Sequence, residues 1–269
     1  MRTYFDYIKT IFYIHCVWSI VDENKLERTL HLCLNDCSVN EEIPMITFYF
    51  HHTPNPMKVA LYLEETGLPY EVVAVDTLKG EQHSPEYRKI NPNGKTPAIL
   101  DGKTRVFDSN AILLYLSEKS GKLAGKAEDR AEMLSWLMFI ASGLGPYSGQ
   151  SVHFRYAAPE KLDYAINRYL REAQRHYEVL ETHLEGCSFI VSNEYTIADI
   201  AAWGWIDKAS VVLGEEGLDP YPNLKRWFAN IEARPAVARA RNISKNIEFK
   251  KELDEEAKRA LFPSNFPKH

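Results

Sequence analysis

The sequence predicts an α/β half, in the order strand, helix, strand, two further strands and a helix, followed by an all-helical half. Three observations carry that reading. Residues 46–107 hold short runs with the alternation and the β-branched or aromatic content of strands, separated by one helical run and by Gly- and Pro-bearing turns. Between 118 and 129 the composition shifts to Gly, Lys and Glu, as in a linker between domains. Beyond it no strand pattern recurs, and apolar residues fall at helical spacing.

Ile46-Thr47-Phe48-Tyr49-Phe50 alternates as a strand. After the loop Thr53-Pro54-Asn55-Pro56, the run Val59, Leu61, Tyr62, Leu63 and Glu64 predicts a helix that Gly67 stops ahead of Pro69, and residues 70–75 form a second strand. Gly80-Glu81-Gln82-His83-Ser84-Pro85-Glu86 is a polar connection with turn chemistry. Thr96-Pro97-Ala98-Ile99-Leu100 and Arg105-Val106-Phe107 read as two strands joined by a turn at Gly102. A helix follows Asp108 and Ser109, whose side-chain oxygens can accept from the free N–H groups of its first turn. That end carries unpaired donors and a partial positive charge, so a ligand carboxylate can dock there instead. A βαβ unit followed by ββα is the order of a thioredoxin-like sheet, whose ligand-facing loop follows the carboxyl end of a strand, the place of the Thr53 loop.

In the second half, Met133, Leu134, Leu137, Met138 and Ile140 mark a helix over 130–142, with Gly143-Leu144-Gly145-Pro146 as its breaker. Leu162, Ile166, Tyr169, Ala173, Tyr177, Leu180 and Leu184 stripe a long helix ending near Gly186. Thr196-Ile197-Ala198-Asp199, a hydroxyl N-cap with an acid three residues on and Tyr195 as staple, precedes a helix over 200–213. A last helix over 222–234 is stopped by Pro235. The expected domains are a thioredoxin-like one over 45–121 and an all-helical one over 127–245, with a charged tail over 246–269. The expectation is that Met45 is the native start or that residues 1–44 are an extension outside the folded core. Residues 4–21 are too short and too polar for a membrane span, and no small-residue cleavage pattern follows them.

A net charge of −5 over 269 residues, with both signs interleaved, offers no basic footprint for nucleic acid. Of the four cysteines, Cys16, Cys33, Cys37 and Cys187, none forms a CxxC pair and no second pair follows Cys33 and Cys37 at zinc spacing. This usage predicts no metal site and suits a reducing cytoplasm. No Ser-His-Asp order, Gly-rich phosphate loop or HExxH spacing is legible.

Asn91-Pro92-Asn93-Gly94-Lys95-Thr96-Pro97-Ala98-Ile99, followed by Phe107-Asp108-Ser109-Asn110-Ala111-Ile112, resembles the glutathione-binding half of the cytosolic glutathione transferases. Tyr49-Phe50-His51-His52-Thr53-Pro54-Asn55 narrows the similarity to the bacterial nu class and the fungal nitrogen-regulator-like proteins, some of them described as disulfide-bond oxidoreductases. The resemblance spans residues 45–241. It implies glutathione as cosubstrate, a small electrophile or a disulfide as second substrate, a homodimer and a cytoplasmic detoxification role.

By the same resemblance Thr53 polarises the ligand's thiol and Asn55 adds an amide donor, where better-known branches use Tyr, Ser or Cys. Tyr49 is the runner-up hydroxyl. Gln82, Lys95, Thr96, Pro97, Asp108 and Ser109 hold the tripeptide: Gln82 toward its glycine end, and Thr96, ahead of a cis bond to Pro97, pairing its backbone with the cysteinyl portion like an added strand. Gln150, His153 and Arg168 line the site or reach a neighbouring subunit's. The thiolate is the nucleophile, and a hydroxyl donor and a helix N-terminus both favour it. Each pKa unit of depression is worth about 1.4 kcal/mol. Without Cys at position 53, disulfide reduction proceeds through glutathione itself. The competing expectation is a non-catalytic glutathione-binding or regulatory protein on the same fold. Thr196 and Asp199 are assigned to folding.

Overall fold

Strand β1 (Ile46–Phe50) turns Ile46, Phe48 and Phe50 wholly into the core and leaves Thr47 and Tyr49 half-buried, the alternation that a period of two demands. The computed structural model describes residues 45–266; the expected extension, with Cys16, Cys33 and Cys37, lies outside them. β1 pairs in parallel with β2 (Tyr70–Ala74) and antiparallel with β3 (Ala98–Asp101), which pairs antiparallel with β4 (Thr104–Phe107). Among the described residues these four strands form one sheet in the order β2-β1-β3-β4. The parallel pair requires a crossover, and α1 (Pro54–Thr66) supplies it. After β2 come α2 (Pro85–Ile90), the hairpin β3-β4 and α3 (Ser109–Ser120), completing the expected thioredoxin-like order.

Two boundaries differ from expectation. α1 starts at Pro54 rather than near Val59, because Pro54 and Pro56 sit in the first helical turn, where no intrahelical N–H is needed. α3 runs on to Ser120 and ends where Gly121 turns left-handed (φ 68°), so the linker begins three residues later than its composition implied.

The second half is mostly helical, with one isolated β-bridge between Val191 and Glu194 and more helical segments than the sequence pattern predicts. α4 (Arg130–Phe139) passes through a π turn, Ile140–Leu144, into α5 (Gly145–Val152), and a second π turn, His153–Ala157, succeeds it. The predicted break at Gly143-Leu144-Gly145-Pro146 therefore does not occur. A Cβ on Gly145 would stand 3.0 Å from Trp205 Nε1, and one on Gly149 3.4 Å from the same ring, so these glycines make room for an indole. α6 (Asp163–His183) carries the long stripe, with Leu162 exposed at its N-cap rather than packed in it. The helix expected over 200–213 divides into α7 (Ile197–Ile206) and α8 (Ala209–Leu213) at Asp207-Lys208. α9 (Pro222–Glu232) is not the last: Pro235, which stops it, opens α10 (Pro235–Asn242). The charged tail folds back and forms α11 (Glu255–Leu261), its Lys250 N–H donating to Asp76 Oδ2 at 2.8 Å and its Phe249 ring 4.5 Å from that of His51. No helix among the described residues is long and apolar enough to cross a membrane.

α7 is buried along nearly its whole length, and Asp199 sits in its first turn with no exposure to solvent. Its carboxylate accepts from Ile190 N (2.9 Å), Thr196 N (2.9 Å), Thr196 Oγ1 (3.2 Å) and Trp227 Nε1 (2.8 Å). Burial pushes the carboxyl up to about 6 against these donors, which hold it down. Asp199→Ala leaves two buried backbone N–H groups and an indole N–H without an acceptor. Urea denaturation should show a loss of about 3 kcal/mol or more, and a wild-type midpoint would refute the structural role.

Candidate active site

The N-termini of α1 and α3 open onto one groove of about 690 Å³. Thr53 is the N-cap of α1 in extended conformation (φ −134°, ψ 164°), yet its hydroxyl makes no capping bond and lines the groove. Two residues on, Asn55 Oδ1 accepts from Trp205 Nε1 at 3.0 Å. An indole N–H only donates, so this bond fixes the amide: the oxygen is held by α7 and the NH2 group remains as a donor. Hydroxyl and amide both stand at the positive end of the α1 dipole, where an anion is favoured.

At the start of α3, Asp108 adopts a positive φ of 72°, uncommon for any residue but glycine, and its Oδ1 accepts from Asn110 N (2.9 Å) and Ala111 N (3.2 Å). Ser109 is buried, with Oγ 3.4 Å from the Nζ of Lys58. Asn110 Oδ1 is buried without a partner among the described residues. The Thr96-Pro97 bond is cis. The carbonyl of Lys95 just ahead of it accepts from Tyr87 Oη (2.7 Å) and Asn91 Nδ2 (2.6 Å), which fixes the approach to β3.

The remaining walls come from the helical half and the tail. The two π turns bracket α5, each adding a residue per turn and so rotating the side chains beyond it; Gln150 and His153 come from this segment. The His153 ring lies 4.5 Å from that of Phe262 on the tail, and burial lowers its pKa, favouring neutral imidazole. The Lys95 ammonium lies 5.7 Å above the same Phe262 ring. Gln82 donates to Thr77 O (3.2 Å) and to Ala260 O of the tail (3.1 Å).

Of the residues singled out from the sequence, Thr53, Asn55, Gln82, Lys95, Thr96, Pro97, Asp108, Ser109, Gln150 and His153 line this groove. Arg168 does not: on the outer face of α6 it pairs with Glu172 at 3.0 Å. Nor does Tyr49, whose ring stands edge-on to Tyr87 at 5.6 Å and whose hydroxyl pKa is raised by burial and by Glu71, away from phenolate. Sequence reasoning missed Lys58, Trp205 and Phe262, which also line the groove. Lys58 left a signal, a lone cation inside the otherwise apolar run Pro56-Met57-Lys58-Val59-Ala60-Leu61. Trp205 and Phe262 left none, since only the fold brings them to Thr53.

The sequence matches two family models, described as the glutathione S-transferase N-terminal domain over residues 44–118 and its C-terminal domain over residues 138–235. It is 43% identical over 204 residues to the disulfide-bond oxidoreductase YfcG of Escherichia coli, covering 73% of this chain and 94% of the relative. The chain belongs to the glutathione transferase family. A second Escherichia coli relative, the disulfide-bond oxidoreductase YghU, is 37% identical over 240 residues, 82% of either chain. Among solved structures, a glutathione transferase of Burkholderia graminis with two glutathione molecules bound per subunit superposes with a TM-score of 0.70 at 36% identity, covering 79% of this chain and 93% of that one. A Pseudomonas putida glutathione transferase with one glutathione disulfide per subunit gives 0.69 at 35%, covering 78% and 95%.

In this glutathione transferase the two halves of the groove meet where α7 crosses α1. A Cβ on Gly204 would stand 2.6 Å from the Pro54 carbonyl oxygen and 2.6 Å from Lys58 Cγ. Gly204→Ala must therefore move backbone as well as a side chain. It should lower stability by about 2 kcal/mol, within the range for overpacked cores, as read from its urea midpoint; an unchanged midpoint would show that the crossing is loose.

Proposed function

We propose that this chain is a glutathione-dependent disulfide-bond reductase that works without a cysteine of its own, with glutathione transfer to small electrophiles as a related activity. The observation that carries the reading is the orientation of Asn55. With its oxygen occupied by Trp205, Asn55 presents its NH2 group as a donor at a helix N-terminus, and the free hydroxyl of Thr53 beside it can donate as well. Such a site favours a thiolate over a thiol. Ser109 and the first turn of α3 receive the glutamyl end of the tripeptide, Thr96 pairs with its middle, and Gln82 and Lys95 flank its glycine end.

The chemistry balances with two glutathiones. The bound thiolate attacks one sulfur of the disulfide substrate, forming a mixed disulfide and releasing the other sulfur as a thiolate that takes a proton from solvent. A second glutathione thiolate then attacks the mixed disulfide, giving glutathione disulfide and the second product thiol. Cys187, the cysteine among the described residues, does not line the groove. The groove has room beyond one tripeptide, in keeping with relatives crystallised with two glutathiones or one glutathione disulfide per subunit. A cytoplasmic setting, where glutathione is kept reduced, suits this chemistry.

Hydroxyethyl disulfide and glutathione should be turned over by the wild type. Thr53→Ala should lower kcat/KM by roughly 10- to 100-fold, the worth of a hydrogen bond to a charged group, and raise the pKa of the bound thiol. Trp205→Phe, which frees the Asn55 amide to rotate, should act in the same direction by roughly tenfold. Binding of glutathione without turnover of this disulfide or of an aromatic halide would instead favour a regulatory glutathione-binding protein. The chain is further proposed to be a homodimer, with Arg168 reaching toward the partner; sedimentation velocity should give a dimer, and a monomer at micromolar concentration would reject this.

A further inference from the structure

One carbonyl of the tail accepts from two side chains of the first domain. Ala260 lies in the last turn of α11, where helix carbonyls lack an intrahelical partner. Its oxygen accepts from Gln82 Nε2 at 3.1 Å and from His83 Nε2 at 2.9 Å. A carbonyl only accepts, so these bonds fix both side chains. Gln82 gives one amide proton to Ala260 and the other to Thr77 O at 3.2 Å, which leaves none for a ligand. His83 carries its proton on Nε2, and its Nδ1 accepts from Arg88 Nη2 at 3.1 Å. Gln82 Oε1 is buried without a partner among the described residues, a cost that hydration would remove.

The segment held in this way is short and lightly attached. Upstream it is anchored where Phe249 packs on His51 and Lys250 N–H donates to Asp76. Residues 251–256 are then exposed, and within α11 the buried residue is Ala257. Leu261 and Phe262 line the groove, and the Phe262 ring spans it, from His153 of the helical half to Lys95 just ahead of Thr96. A stretch with exposed backbone and little buried apolar surface, set between two fixed points, opens at low cost.

We propose that Gln82 and His83 are positioning residues that act through the tail: they latch α11 and Phe262 as a lid over one side of the groove, and the tripeptide enters and leaves only when Ala260 is released. The proposal rests on the groove being a glutathione site. Gln82 thus serves the glycine end through the lid rather than by its own amide. Release exchanges two hydrogen bonds for water and hydrates Gln82 Oε1, so the closed and open forms lie close in free energy, as a lid requires. The groove also reaches His52, Lys208 and Val211, where no tail segment lies among the described residues. A second thiol can approach from there while the first tripeptide stays enclosed.

A Cβ on Gly80 would stand 3.6 Å from that of Ala260, within the disulfide range of about 3.5–4.5 Å. Gly80→Cys combined with Ala260→Cys in the full-length protein should therefore lock the lid when oxidised. Binding of S-methylglutathione, which has no thiol to open that bond, is followed by stopped-flow tryptophan fluorescence, since Trp205 lines the groove. The oxidised pair should bind and release the ligand at least roughly tenfold more slowly than wild type, and a thiol-free phosphine should restore both rates. Ala257→Asp, which undocks α11 away from the ligand, should release it roughly tenfold faster. Should the cysteine pair not fold or not cross-link, Ala257→Asp decides; should neither variant fold, amide exchange of wild type decides, and residues 255–262 should be more protected with ligand bound. Wild-type rates in the oxidised pair or in Ala257→Asp, or exchange that the ligand leaves unchanged, overturn the lid and leave the functional reading standing. No binding of S-methylglutathione by wild type overturns both.

Discussion

The carboxylate of Asp199 gathers donors from three separate stretches of chain: Ile190 ahead of it, Thr196 at the helix start and Trp227 on α9. Each donor is buried, so losing the carboxylate strands all of them, and this fixes the direction in which α7 leaves. Five residues along, Gly204 meets α1 at a separation that only a missing Cβ allows. The next residue, Trp205, gives its indole N–H to Asn55. The orientation of an amide in the groove is thus traceable, through one rigid helix, to an acid in the core. That is how a site is held to the tolerance chemistry needs, by support from packed secondary structure.

The groove is a collection of fixed donors. Two helix N-termini open on it, a hydroxyl is left uncapped, an amide is clamped by its oxygen, and a buried amine lies behind Ser109. None has to reorganise when an anion arrives, which is the condition under which dipoles stabilise charge most effectively. Asp108 is the acidic side chain among the groove residues, and one of its oxygens is engaged by the α3 backbone. The protein supplies polarisation, and the reactive sulfur arrives with the ligand.

Much of this is legible in the amino-acid sequence, for local reasons. β1 alternates because one face meets the core, the Thr196 to Asp199 spacing is a capping pattern, and the Asp108-Ser109 pair announces a helix start. The features that sequence patterns miss are non-local. Pro54 and Pro56 look like a loop until it is seen that a first helical turn needs no N–H. Gly145 and Gly149 look like a break until Trp205 is placed against them. The Asn55 to Trp205 bond joins residues 150 apart, and no periodicity reports it. Family position alone assigns Arg168 to the site, whereas within one chain it faces outward beside Glu172. Lys58 is visible in the sequence as a charge in an apolar run, but only the fold distinguishes a cation held inside from one that reaches solvent.

The contact between Gln82 and Ala260 spans 178 residues and joins the first domain to the tail that carries Phe262. The sheet, α1 and α3 are all encoded before residue 121, and the helical bundle before residue 243. A chain emerging in order from the ribosome can therefore settle its sheet and its bundle while the groove still lacks one side. Of the elements that wall the groove, the one that closes this side is the last to be synthesised.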